Sequence, residues 1–151
     1  MIEKKFPEVK LIAGVATAGI AHGALVADYM GLPFVYVRSK PKGHGLTNQI
    51  EGQLIGQENT VVIEDLISTG MSSLAAVEAL RNAGCGVMGL TAIFTYGFQK
   101  SIDAFAEANC EFHTLSNYQS MLPIAIESGH VSEDQLETLN AWRNNPGEWG
   151  K

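Results

Sequence analysis

Little in this chain marks a specialised protein class. Only two of its 151 residues are cysteine, and neither Cys85 nor Cys110 has a histidine or cysteine partner at metal-ligand spacing. A disulfide scaffold and a zinc module are therefore excluded, and both thiols read as reduced, small apolar residues just ahead of strands. No apolar stretch is long enough to span a bilayer, no signal peptide opens the chain, and no repeat or low-complexity segment is present. The expectation is a cytoplasmic protein with no membrane partner. Basic residues are scarce, 10 Lys and Arg against 16 Asp and Glu for a net charge of −6, which argues against nucleic acid as a general partner. The G-x-x-x-x-G-K-[ST] phosphate loop is missing too, since Gly19 is followed by Ile20. Gly84-Cys-Gly-Val-Met-Gly89 has dinucleotide-binding spacing but leaves a helix and opens a strand, the reverse of what that motif requires. A helix stop and a tight turn account for it.

What is present is a regular alternation of elements. The length suits one domain, residues 1–151, that buries roughly two-thirds of the surface its unfolded chain exposes, with no linker needed. Val9–Val15 reads as a strand, and Ile20–Met30 as a helix whose Ile20, Leu25 and Val26 recur at helical spacing until Gly31 ends it. Phe34–Val37 is a second strand, and residues 38–57 are a long loop of the kind usually kept for function. A third strand at 60–63 leads to a helix over Met71–Ala83, with Leu74, Ala76, Val77 and Leu80 inward and Gly84 as its stop. Val87–Phe94 is the fourth strand, and a helix over Lys100–Asn109 and a short strand at Glu111–Leu115 follow. Asn117 caps a segment through Ser128, and Ser132 with Gln135 forms a capping box for a last helix to Asn144. These elements imply an α/β fold, a mostly parallel open sheet flanked by helices, with ligands at the carboxyl ends of the strands.

Residues 60–73, Thr-Val-Val-Ile-Glu-Asp-Leu-Ile-Ser-Thr-Gly-Met-Ser-Ser, carry most of the chemistry. Val61, Val62 and Ile63 form a β-branched run suited to a strand buried on both faces. Ser68, Thr69 and Gly70 offer N–H groups and hydroxyls where a helix begins at Met71, and the positive end of its macrodipole favours a phosphate. Glu64 and Asp65 repel that phosphate and need another partner, either vicinal ribose hydroxyls or a Mg²⁺ travelling with the ligand. Arg38, Lys40, Lys42 and His44 stand within seven residues without one acid, beside Gly43 and Gly45. In so acidic a chain that cluster points to a polyanion. His22 belongs to the first helix, and His113 and His130 read as strand or surface residues.

An apolar strand, an acidic pair and a Ser-Thr-Gly turn resemble the phosphoribosyl pyrophosphate (PRPP) signature of the type I phosphoribosyltransferases. Residues 38–52, Arg-Ser-Lys-Pro-Lys-Gly-His-Gly-Leu-Thr-Asn-Gln-Ile-Glu-Gly, are similar to the mobile catalytic loop of the orotate phosphoribosyltransferases, and Gly14-Val-Ala-Thr-Ala-Gly19 resembles their pyrophosphate loop. The likeness runs from Val9 to at least Gly129, with the three motifs in the family's order. It implies a type I phosphoribosyltransferase core that joins orotate to PRPP, giving orotidine 5′-monophosphate and pyrophosphate.

Residue by residue, the resemblance implies that Arg38, Lys42 and His44 contact pyrophosphate and that Thr17, Ala18 and Gly19 grip it from the other side. Glu64 and Asp65 hold the ribose hydroxyls, while Leu66, Ile67, Ser68, Thr69, Gly70, Met71 and Ser72 complete the turn that cradles the 5-phosphate. Ser68 also lies next to orotate. Lys42, His44 and Asp65 are the catalytic set. Mg²⁺ is carried mainly by PRPP, with no separate protein metal site, and a homodimer is implied, the mobile loop acting across its interface.

Met71 and Thr47 stand where the family usually has glycine, and Ala21 where it has proline. Family members also carry an upstream base-holding segment, so Met1-Ile-Glu-Lys-Lys-Phe-Pro resembles the tail of the helix before the first strand, and a shortened product or a fragment is expected. The alternatives are a non-catalytic PRPP-binding module or remnant, and a purine phosphoribosyltransferase, which shares the PRPP signature but not the 38–52 loop.

Overall fold

The computed structural model describes residues 1–39, 49–56 and 58–149. Their elements run α1 (Ile2–Lys5), β1 (Leu11–Val15), α2 (Gly19–Met30), β2 (Phe34–Val37), β3 (Ile50–Glu51), β4 (Asn59–Ile67), α3 (Met71–Asn82), β5 (Gly86–Thr95), α4 (Gln99–Glu107), β6 (Phe112–Asn117), α5 (Tyr118–Glu127) and α6 (Leu136–Asn144). The six strands form one sheet in the order β3-β2-β1-β4-β5-β6. All neighbours are parallel except β2 and β3. The expected α/β fold with a mostly parallel, helix-flanked sheet is thus present. No helix among the described residues is long and apolar enough to cross a membrane.

Each face of the sheet has its own core. On one, Val35, Val37, Val62, Ile67 and Leu90 pack with Ala76, Val77 and Leu80 of α3 and Phe105 of α4. On the other, Ile12, Val61 and Ile63 pack with Ile2, Phe6 and Ala27. A β-branched run such as Val61–Ile63 serves both faces because its side chains alternate across the sheet.

Three expectations need correction. The third strand does not end at 63: β4 continues to Ile67, pairing Glu64 with Ala92, Leu66 with Phe94 and Ile67 with Thr95. The ten-residue β5 supplies ladder partners that the polarity of Glu64-Asp65 conceals. In α2 the buried residues are Gly19, Gly23 and Ala27, whereas Leu25 is 70% exposed. Small residues let this helix approach the sheet, and Leu25 instead lines a surface groove with Tyr29, Ile93 and Leu115. Finally, two residues of the long 38–57 loop form β3, an antiparallel edge that pairs Val37 with Ile50.

Other local readings hold. Gly31 ends α2 in the left-handed conformation. Asn117 caps α5 by accepting the Ser120 N–H at 2.9 Å, and Gln135 Oε1 accepts the Ser132 N–H at 3.0 Å. The capped segment opens as a 3-10 turn, Glu133–Gln135, before α6. The glycine-rich 84–89 segment spans the end of the α3 turn and the start of β5, as expected of a turn.

Candidate active site

Strand order places the site. The chain runs from β1 to β2 on one side and then adds β4 on the other, so connections reverse direction between β1 and β4. Such a switch point opens a crevice at the carboxyl ends of the two strands, where ligands bind in open α/β sheets. The β1–α2 loop and the β4–α3 turn both leave strands there.

The β1–α2 loop is held tight against β4. A Cβ on Gly19 would lie 2.6 Å from the Ile63 carbonyl oxygen, so only glycine fits where α2 begins. Thr17 and Ala18 are exposed, the peptide before Thr17 is cis, and no side chain caps α2. With no capping side chain, the first N–H groups of α2 are left without a side-chain acceptor at the crevice.

Across the crevice, β4 carries two carboxylates in different settings. Glu64 is only 4% exposed. One of its oxygens accepts the Asp65 N–H at 3.1 Å and the other accepts the Ser73 hydroxyl at 3.1 Å. Burial, with the Asp65 carboxyl adding to it, pushes the Glu64 pKa up to about 7. Asp65, next along the strand, is half-buried. Ser73 lies outside the expected site set; a serine on the first turn of the helix that follows the acidic pair was the signal for it.

Beyond Ile67 the chain turns through Ser68 and Thr69 to Gly70, whose φ of +81° suits glycine. α3 then starts without a side-chain cap, leaving its first N–H groups free for an anion. Leu66, Ser68, Thr69, Gly70, Met71, Ser72 and Ser73 line a cavity of about 460 Å³ at this turn. Met71 is 70% exposed and stands at its rim.

Arg38 follows β2. Its Nη1 donates to Glu51 Oε1 at 3.3 Å, with both side chains more than a third exposed, a pairing worth roughly 0–1 kcal/mol and readily exchanged for another anion. The Arg38 N–H donates to the Gln49 carbonyl at 2.8 Å, and Gln49 Nε2 donates back to the Arg38 carbonyl at 2.9 Å. Lys42 and His44 lie outside the described residues. So do Lys40, Gly43, Gly45 and Thr47.

The structure thus brings Thr17–Gly19, Glu64–Asp65 and Ser68–Ser73 to one end of adjacent strands. His22 lies on α2, His113 on β6 beside Glu111, and His130 is exposed after α5. Cys85 and Cys110 are buried and unpaired, away from these loops, and burial pushes both thiols up.

The chain is similar to known proteins in both sequence and structure. Residues 3–114 match the phosphoribosyl transferase domain model. The orotate phosphoribosyltransferase of Cytophaga hutchinsonii is 52% identical over 151 residues, covering 100% of this chain and 72% of the relative. That of Bacillus subtilis is 51% identical over 146 residues, 97% of this chain and 68% of the relative. The crystal structure of orotate phosphoribosyltransferase from Aeropyrum pernix superposes with a TM-score of 0.74 at 25% identity, covering 87% of this chain and 71% of that one. With a phosphoribosyltransferase model matched over most of its length and relatives at half identity along all of it, this chain belongs to the orotate phosphoribosyltransferase family.

Proposed function

We propose that this chain, acting as one phosphoribosyltransferase domain, transfers the 5-phosphoribosyl group of PRPP to orotate, giving orotidine 5′-monophosphate and pyrophosphate in pyrimidine synthesis. The observation that carries the reading is the seating of Gly19 on Ile63. It sets a backbone-lined loop directly beside an acidic pair and an uncapped helix start, three surfaces that match the three parts of PRPP.

The 5-phosphate lies on the turn from Leu66 to Ser72, where N–H groups and the α3 dipole favour an anion. The ribose hydroxyls donate to Glu64 and Asp65. Pyrophosphate is held between the Thr17-Ala18-Gly19 backbone and the cations Arg38, Lys42 and His44, with Arg38 exchanging Glu51 for it. The bond from the anomeric carbon to the pyrophosphate oxygen breaks, its electron pair leaves with pyrophosphate, and a ring nitrogen of orotate, placed beside Ser68, bonds to that carbon. Positive charge develops on the ribose and negative charge on the leaving group, so fixed cations lower the barrier. Two unit charges about 4 Å apart gain roughly 1 kcal/mol in water but nearer 4 at an effective dielectric of about 20, so excluding water strengthens this term.

Mg²⁺ fits the donor set. Among the described residues no group of three His, Cys, Asp or Glu side chains could hold a metal ion, and Mg²⁺ is commonly bound through one or two carboxylates plus substrate phosphates. Asp65 is the carboxylate available, and most ligands would come from PRPP. When bound, the ion neutralises charge on the pyrophosphate. We place the reaction in the cytoplasm and in a homodimer.

The test is to incubate the protein with PRPP, Mg²⁺ and orotate and follow orotate consumption, with adenine, guanine and uracil as controls. Orotate alone should be consumed. Consumption of a purine instead would identify a purine phosphoribosyltransferase. PRPP binding with no base consumed would identify a non-catalytic PRPP-binding module.

A further inference from the structure

The loop between β5 and α4 is fastened from two sides. Toward β4, the Tyr96 N–H donates to the Ile67 carbonyl at 3.2 Å and Thr95 Oγ1 donates to the same oxygen at 3.2 Å. From α6, the last helix, Arg143 Nε donates to the Tyr96 carbonyl at 3.1 Å and Nη2 to the Gly97 carbonyl at 3.0 Å. A two-pronged guanidinium contact fixes orientation as well as position. Around it, Tyr96 stacks on Phe98 with ring centroids 5.3 Å apart, and Trp142 meets both rings edge-on at 5.5 and 5.9 Å.

This loop borders the site. It starts where β5 ends, level with Ile67 and so next to the Ser68–Gly70 turn. The β1–α2 loop and the β5–α4 loop therefore flank β4 on opposite sides. An incoming base and a departing pyrophosphate must occupy opposite sides of the anomeric carbon. On the phosphoribosyl transfer proposed above, on which this inference rests, pyrophosphate takes the β1 side and the base is left with the β5 side. Aromatic faces suit a flat heterocycle there.

We propose that Arg143 is a positioning residue: by gripping the Tyr96 and Gly97 carbonyls it fixes the β5–α4 loop as the wall against which the nucleobase is held. Arg143 does not touch the substrate. Without it, two carbonyls lose charged donors, and the Trp142 ring contacts, which set no backbone orientation, are left to hold the aromatic pair to α6.

Calorimetric titration of orotidine 5′-monophosphate and of ribose 5-phosphate, which lacks the base, separates the two halves of the site. The ratio of their affinities reports the base alone. The wild-type chain should bind the nucleotide more tightly, and Arg143→Ala should lower the ratio about tenfold while ribose 5-phosphate binding stays unchanged. Arg143→Lys should recover part of the ratio, since an ammonium lacks the guanidinium fork. Gly97→Ala disturbs the same contact from the loop side, because its Cβ would lie 3.2 Å from Arg143 Nη2 at a φ of +66°. It provides the same readout if Arg143→Ala does not fold. An unchanged ratio in the folded variants, or an equal loss for both ligands, overturns the inference. So does a wild-type chain that binds both ligands equally, with the phosphoribosyl reading intact. If the wild-type chain binds neither, that reading falls and takes this one with it.

Discussion

Burial decides the behaviour of Glu64. With a pKa of about 7 against an ordinary 4.5, the folded protein holds this proton more tightly than the unfolded chain does. Its contribution to stability is full below pH 4.5 and is lost as pH rises through about 7, a change of up to about 3 kcal/mol. Denaturant unfolding across that window should show stability falling with pH, and Glu64→Gln should flatten the slope. If ribose hydroxyls donate to the ionised Glu64 carboxylate, as proposed, ribose 5-phosphate binding below neutrality should release a proton from it. Titration in buffers of different ionisation enthalpy measures that release, which Glu64→Gln should reduce to the share that comes from the ligand's own phosphate. At Gly19 the constraint is steric. Gly19→Ala puts a methyl group 2.6 Å from a backbone oxygen, and thermal unfolding should register a loss of about 1–3 kcal/mol together with weaker pyrophosphate binding.

Among the elements, the proposed function divides the work between α3 in the ground state and the 38–52 segment in the transition state. On the proposed transfer, the uncapped start of α3 holds a phosphate whose charge does not change during the reaction, so it would supply affinity. On the same proposal the cations of the 38–52 segment serve a leaving group whose charge grows, so they would supply rate. Lys42→Ala or His44→Ala should therefore lower turnover by about 10²-fold or more while PRPP affinity changes far less. Steady-state kinetics beside direct PRPP titration makes the distinction, and equal losses would mark the segment as a binding clamp.

At the scale of the molecule, ligand binding and assembly give the readouts. PRPP with Mg²⁺ should raise the melting temperature, since a ligand that binds only the native state stabilises it by mass action. Asp65→Asn should diminish the shift, and orotate alone should produce little. If the 38–52 segment of one subunit serves its partner's site, mixing Lys42→Ala with Asp65→Asn subunits should restore activity, because one hybrid site keeps both partners. An absence of recovery despite proven subunit exchange would leave the site within a single chain.

The sequence by itself determined the alternation of strands and helices, the acidic pair ahead of the Ser68–Gly70 turn, and the family. These are local signals: β-branched runs, helical spacing in α3, and a glycine where φ must be positive. Four things came only from the tertiary structure. The extension of β4 through Glu64–Ile67 depends on ladder partners in β5, about thirty positions later in the chain. The inward face of α2 follows from how closely its small residues approach the sheet, which a hydropathy pattern does not encode. The proton affinity of Glu64 follows from its burial beside Ser73. The grip of Arg143 on Tyr96 and Gly97 joins residues 47 and 46 positions apart. Each depends on which distant segments the sheet order brings together, and spacing along one chain carries no record of that.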